Sequence, residues 1–186
     1  DNNFIFKTDN YEAKIQGTYE DEFPIIPRLE NIESYIEIEP IILKEAVGKV
    51  VSAAQISDIR PEISGVLFDF QTTILKLVAT DSFRLAEKTL NNNQFHHNFD
   101  HGFKVIIPLK TIQEIVKIFP NDQPIRISLD NSQILFKNND IEVISRLIDG
   151  SYPDYEQIIP KDIETEVVVN KDHFINSIKL VNNFSG

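Results

Sequence analysis

The sequence has 186 residues, a hydrophobic share of 41%, a charged share of 25% and a formal net charge of −11. These shares are typical of a globular protein with an apolar core. The acidic net charge argues against indiscriminate nucleic-acid binding, although it does not exclude a few cations gathered on one face. The absence of cysteine excludes disulfides, thiolate metal ligands and cysteine nucleophiles.

The chain begins with Asp1 and contains no methionine, which favours a piece of a longer protein. No signal peptide is visible, and no apolar run approaches the ~20 residues that cross a bilayer. We therefore expect no membrane partner.

Alternating apolar and polar residues predict antiparallel strands along most of the chain. In chain order, the alternation covers 35–40, 65–70, 74–79, 103–108, 125–129, 133–137 and 141–148. Two segments instead have helical spacing, marked by Leu43, Val47, Val50 and Ala54, and by Ile112, Ile115, Val116 and Phe119. Each predicted helix follows a strand that ends in proline, Pro40 or Pro108, a residue that suits the first turn of a helix.

Two repeats organise these elements. The strand–proline–helix pattern occurs twice, 68 residues apart, which predicts two similar halves, each with one helix and several antiparallel strands. At an offset near 130, residues 4–27 resemble 134–160, with Phe23-Pro24 matching Tyr152-Pro153, and residues 36–51 resemble 166–181. A period of this length suits tandem domains. We therefore predict an α+β fold in three parts: 1–30 as the last hairpin of one domain, 31–160 as a complete domain, and 161–186 as the first strand and helix of another.

The segment "NNNQFHHNFDHG" (91–102) contains His96, His97 and His101. Its asparagines and lack of periodicity favour an exposed loop between strands, and the alternative is the metal site of a hydrolase. The sequence has no G-x-S-x-G and no phosphate-cradling glycine loop. No catalytic constellation, metal site or cofactor is predicted.

The stretch "LVATDSFRLA" (77–86) is a strand, a polar insertion and a second strand. Asp81 and Arg84 favour a tight turn held by an Asx interaction and an ion pair. Together with "RPEISGVLF" (60–68) and "SRLIDGSYPDYEQIIP" (145–160), this stretch resembles the bacterial DNA polymerase III beta subunits, the sliding clamps. The resemblance covers essentially the whole chain, with the three motifs in the family's order.

The resemblance implies a non-catalytic processivity factor of bacterial DNA replication, located in the cytoplasm. The family has the DNA-clamp fold, with three similar domains per subunit, and 31–160 would be the middle one. Two subunits would close head to tail into a homodimeric ring around duplex DNA, without sequence preference. Polymerase III subunits, the clamp loader and other proteins with a clamp-binding motif would be its partners.

The resemblance also assigns residues to two surfaces. The DNA-facing cations would be Lys44, Lys49, Arg60, Lys110, Lys117 and Lys179, for which a solvated helix face is the alternative. The pocket for partner peptides, between the second and third domains, would use Ile63, Thr80, Arg84, Leu85, Pro153, Gln157 and Ile158. Its aliphatic residues and Pro153 would form an apolar floor, and Thr80 and Arg84 would fix the direction of the peptide.

The chain departs from the family at this pocket. Ser82-Phe83 stands where Gly-His is common, and Gln157 stands where a basic residue is frequent. We therefore expect a shifted peptide preference, and a backbone at Ser82 that is not one reserved for glycine. A tandem α+β module that binds peptides without encircling DNA is the alternative function.

Overall fold

The computed structural model describes residues 2–23, 28–29, 32–160, 162–182 and 184. The chain divides into two compact units, 1–152 and 153–186. Pro24 of the predicted repeat, and residues 30, 31 and 161 at the predicted domain boundaries, lie outside the described residues.

The described part of the first unit consists of short strands and two helices. In chain order they are β1 (Asn3–Lys7), β2 (Glu12–Gln16), β3 (Ile36–Ile38), α1 (Pro40–Val50), β4 (Gly65–Phe70), β5 (Ile74–Thr80), β6 (Leu85–Asn91), β7 (Phe95–His97), β8 (Phe103–Pro108), α2 (Leu109–Ile118), β9 (Ile125–Leu129), β10 (Gln133–Lys137) and β11 (Glu142–Arg146). Single 3-10 turns occur at Glu20–Glu22, Val51–Ala53 and Pro61–Ile63. The second unit contains a 3-10 turn at Tyr155–Gln157 and a helix, α3 (Lys171–Asn182).

The first unit contains two βαβββ halves that exchange their first strands. The halves run β3–α1–β4–β5–β6 and β8–α2–β9–β10–β11. One sheet has the order β11–β10–β9–β3–β7 and the other has the order β6–β5–β4–β8. Each sheet therefore joins the three strands that follow one helix to the strand that precedes the other helix. The prediction of an α+β fold with two similar halves is confirmed.

The helices form where apolar spacing and proline predicted them. Pro40 is the first residue of α1, and Pro108 ends β8 directly before α2. The two helices contact each other, and both contribute buried residues to a single core that also contains both sheets. The buried helix residues are Pro40, Leu43, Ala46, Val47 and Val50 of α1, and Leu109, Ile112 and Ile115 of α2. The opposite faces of α1 and α2 are exposed to solvent.

The predicted loop at 91–102 is wrong in part, because β7 forms inside it. Ile36 pairs with His97, and Glu37 pairs with His96. Neighbouring strand residues point to opposite faces of a sheet. His96 is accordingly exposed, whereas the ring of His97 lies 4.8 Å from that of Phe70, with its edge toward it. The described residues contain no group of three or more side chains suited to a metal ion.

The chain ends form the predicted hairpin and helix but not the predicted last strand. β1 and β2 pair from Asn3 opposite Gln16 to Lys7 opposite Glu12. No strand is assigned between 162 and 170, because no described segment pairs with it. None of the described helices is long and apolar enough to cross a membrane.

Candidate functional site

The turn between β5 and β6 is held by the carboxylate of Asp81. Thr80 pairs with Leu85 at the mouth of the hairpin. Asp81 Oδ1 accepts hydrogen bonds from the backbone N–H groups of Phe83 and Arg84, both at 3.0 Å, and Asp81 Oδ2 accepts one from Arg84 Nε at 3.0 Å. The backbone donors of Arg84 and Phe83 lower the pKa of Asp81 below its ordinary value, and the Arg84 side chain adds to the effect. The predicted Asx turn and ion pair are confirmed.

The hydroxyl of Thr80 closes the same turn. It donates to the carbonyl oxygen of Arg84 at 2.7 Å and accepts from the N–H of Ser82 at 3.1 Å. Thr80 is buried, whereas the Arg84 side chain is 65% exposed. Within the described chain, Thr80 therefore shapes the turn, and Arg84 presents its outer guanidinium nitrogens to solvent.

Ser82 adopts a backbone conformation that glycine favours. Its φ is +75°, in the left-handed region. A residue other than glycine in this region costs about 1 kcal/mol. The expectation that Ser82 would avoid a glycine-type backbone is wrong, because the hydrogen bonds of Asp81 and Thr80 fix the turn.

Arg60 lies beside this turn. Its Nη1 donates to Ser82 Oγ at 2.9 Å, and its Nε donates to Glu62 Oε1 at 3.1 Å. The pKa of Glu62 is lowered by a backbone hydrogen bond and then by the Arg60 side chain. Arg60 was predicted to face DNA from the connection beyond α1; in the structure its guanidinium contacts Ser82 of the β5–β6 turn and Glu62.

The other predicted pocket residues differ in exposure. Ile63 is buried at the end of its 3-10 turn, and Leu85 is half-buried at the start of β6. In the second unit, Pro153 is half-buried, whereas Gln157 and Ile158 are exposed. Gln157 Nε2 donates to Asp154 Oδ2 at 2.7 Å.

Lys44 has an intramolecular role that the sequence did not indicate. Its ammonium donates to the carbonyl oxygen of Phe119 at 2.7 Å and to Asn121 Oδ1 at 2.6 Å. Phe119 follows the last residue of α2, so a lysine on α1 caps the C-terminal end of α2. No local signal could have revealed this, because the partners lie 75 and 77 residues away.

The remaining helix cations are exposed. Lys49 on α1 and Lys110 on α2 form no ion pair with the described residues, and Lys117 pairs with Glu114 at 2.9 Å. Lys179 is exposed on α3 of the second unit.

Two strand cations, by contrast, are neutralised by acidic neighbours. Lys104 pairs with the buried Asp69 at 3.0 Å, and Arg126 pairs with Glu37 at 2.7 Å. Lys49 and Lys110, by comparison, are exposed helix cations without an ion pair among the described residues.

Two βαβββ halves around one core, with two adjacent helices, define a clamp-type α+β domain. The family model of the DNA polymerase III beta subunit, central domain, matches residues 37–154. The chain is 34% identical over 175 residues to the beta sliding clamp of Bacillus subtilis (strain 168), which covers 94% of this chain and 45% of that relative. The match to the beta sliding clamp of Streptococcus pneumoniae serotype 4 is 32% over 171 residues, covering 91% and 44%.

Solved structures agree with these matches. The DNA polymerase sliding clamp from Bacillus subtilis superposes with a TM-score of 0.87 at 32% identity, covering 96% of this chain and 46% of that one. The Helicobacter pylori beta clamp bound to a DNA ligase peptide gives a TM-score of 0.87 at 27% identity, covering 99% and 51%. The chain belongs to the family of DNA polymerase III beta subunits, the beta sliding clamps. It spans about half the length of the relatives it matches.

Proposed function

We propose that the full-length protein is a sliding clamp, a ring around duplex DNA that tethers the replicative polymerase and other partners. Family membership over residues 37–154 carries this proposal. The protein would be a non-catalytic homodimer in the bacterial cytoplasm, acting with polymerase III subunits and a clamp loader.

The charge distribution of the described helices supports the DNA-binding part. A clamp that slides needs weak phosphate contacts and no base readout, so a few exposed lysines suffice. Lys49, Lys110, Lys117 and Lys179 fit this role, because all four are exposed on helices. Lys44, Arg60 and Lys117 would contribute less, since their charged groups already bind other groups of the chain, Lys117 through its ion pair with Glu114.

The exposed apolar residues at both chain ends support the domain assignment. Phe4, Phe6 and Ile15 of the β1–β2 hairpin are each more than half exposed, and α3 exposes Phe174 and Leu180. Such surfaces are normally covered by other parts of a domain. We propose that 1–30 and 161–186 belong to the neighbouring clamp domains and that 31–160 is the complete middle domain.

Partner proteins would dock a short apolar peptide beside the β5–β6 turn. The Helicobacter pylori beta clamp was solved bound to a DNA ligase peptide, which supports a peptide-binding role for this protein. In this protein Arg84 would contact the peptide directly, and Thr80 would act by holding the turn. Leu85 and Ile63 of the first unit would add apolar contacts, and the roles of Pro153, Gln157 and Ile158 in the second unit remain predictions from the family resemblance.

Binding of a fluorescent peptide from a polymerase III tail to the full-length protein tests the docking site. We expect Leu85→Ala and Arg84→Ala each to weaken binding about tenfold or more, because buried apolar anchors and arginines dominate such interfaces. Arg146→Ala, at an exposed arginine on β11, is the matched control and should bind normally. Unchanged binding by both Leu85→Ala and Arg84→Ala would refute the assignment of these residues to the pocket.

A further inference from the structure

The exposed faces of α1 and α2 carry acidic residues among their lysines. On α2, Glu114 lies one turn after Lys110 and one turn before Lys117, so the three side chains share one face of the helix. Glu114 Oε1 accepts a hydrogen bond from Lys117 Nζ at 2.9 Å. On α1, the exposed Glu45 lies one turn before the exposed Lys49. Each helix therefore places a carboxylate within one turn of the lysines assigned to DNA.

Folding stability does not account for these two carboxylates. The Glu114 side chain is 55% exposed and that of Lys117 is 67% exposed, and exposed ion pairs at this spacing contribute little to stability. Glu45 is exposed and forms no ion pair with the described residues. Because neither glutamate contributes to the core, their main effect is on the charge that the two helix faces present to a ligand.

The two glutamates offset much of the positive charge on these helix faces. Three exposed lysines remain on α1 and α2, because the ammonium of the fourth, Lys44, donates to the Phe119 carbonyl oxygen at 2.7 Å. Glu45 and Glu114 are the acidic residues of the two helices. Residues one helical turn apart lie about 5–6 Å from each other, which is shorter than the Debye length of about 8 Å at physiological salt. A phosphate that approaches a lysine therefore also meets the repulsion of the carboxylate.

We propose that Glu45 and Glu114 keep the phosphate contacts of the helices weak and thereby speed the movement of the protein along DNA. This inference rests on the proposed clamp function and assigns to it two residues of opposite charge to those that bind phosphate. Each step along the duplex breaks and remakes phosphate contacts, so a carboxylate that weakens a contact lowers the barrier to the step. Retention does not suffer, because a ring stays on DNA by encircling it.

Movement of the labelled full-length protein along duplex DNA tests this role. The protein would be loaded by its clamp loader onto DNA tethered at both ends, and its diffusion coefficient would be measured by single-molecule fluorescence at low and high salt. We expect Glu114→Gln and Glu45→Gln each to slow diffusion about threefold at low salt, because a neighbouring lysine then binds phosphate without a competing carboxylate. Added salt should restore the wild-type coefficient, since it screens phosphate contacts.

Glu142→Gln is the matched control. Glu142 is 55% exposed, as Glu114 is, and pairs with Lys137, so its replacement also frees a lysine and changes the net charge by the same amount. Glu142 and Lys137 lie on β11 and β10 and not on the helices, so this variant should diffuse like the wild type.

The possible outcomes separate this role from the clamp function. Unchanged diffusion of both helix variants, or equal slowing by Glu142→Gln, would overturn the inference and leave the clamp function standing. A wild-type protein that left the tethered DNA as fast as it leaves DNA with free ends would contradict the clamp function, and this inference with it.

Discussion

Replacing Lys44 with methionine separates a structural lysine from a DNA-binding one. Methionine keeps the aliphatic stem but removes the ammonium, which donates to the Phe119 carbonyl at 2.7 Å and to Asn121 Oδ1 at 2.6 Å. Hydrogen bonds from charged donors are worth about 1.5–3 kcal/mol when buried. One of these bonds is half-buried and the other is exposed, so water replaces part of the loss. We therefore expect the free energy of unfolding to fall by about 1–2 kcal/mol.

Urea unfolding followed by far-ultraviolet circular dichroism measures this change, with Lys49→Met as the matched control. Lys49 is exposed and forms no ion pair with the described residues, so its loss should change the unfolding free energy by less than about 0.5 kcal/mol. In DNA binding by the full-length protein, by contrast, Lys49→Met should have a larger effect than Lys44→Met. Lys49→Met should flatten the salt dependence more than Lys44→Met. Equal stability of the two variants would refute the capping role of Lys44.

Two further outcomes follow from single positions. Gly48 lies within α1, and a Cβ at this position would meet no other atom. Because glycine is less favourable than alanine inside a helix, Gly48→Ala should raise the unfolding free energy by about 0.5–1 kcal/mol. A lower urea midpoint would contradict this expectation. Burial raises the pKa of Tyr152 to about 12, and the neighbouring backbone of Thr80 offsets this rise in part. Because the folded pKa exceeds the unfolded value of ~10, stability from neutral Tyr152 is complete below pH ~10 and is lost as the pH rises toward 12. Tyr152→Phe should remove this alkaline loss in unfolding scans, and an unchanged pH profile would refute it.

The helices and most strands of the first unit were predictable because their signals are local. The apolar spacing around Val47 and Ile115, and the prolines at 40 and 108, act within a few residues. β7 was missed because a three-residue strand among asparagines is too short to show alternation. It forms because β3 offers it a free edge, which is a tertiary effect.

The exchange of first strands between the halves could not be predicted either, since pairing of β3 with β9 depends on how the two halves pack.

In the candidate site, contacts between residues close in the sequence were predicted, and contacts between distant residues were not. The roles of Asp81 and Arg84 in the turn depend on residues three positions apart and were predicted correctly. Ser82, which accepts from Arg60, lies 22 residues away from it, and the partners of Lys44 lie at least 75 residues away; neither contact was predicted. The φ of Ser82 was also mispredicted, because residue type alone does not reveal the hydrogen bonds that impose it.

Retention on DNA of different topology tests the central claim most directly. The full-length protein would be loaded by its clamp loader onto nicked circular duplex DNA, isolated by gel filtration, and then treated with a restriction enzyme. If the protein encircles DNA, it should remain on the circle in high salt and be released when the circle is cut, because phosphate contacts alone are lost as salt rises. Equal retention on circular and linear DNA would contradict encirclement and favour a peptide-binding module that does not form a ring around DNA.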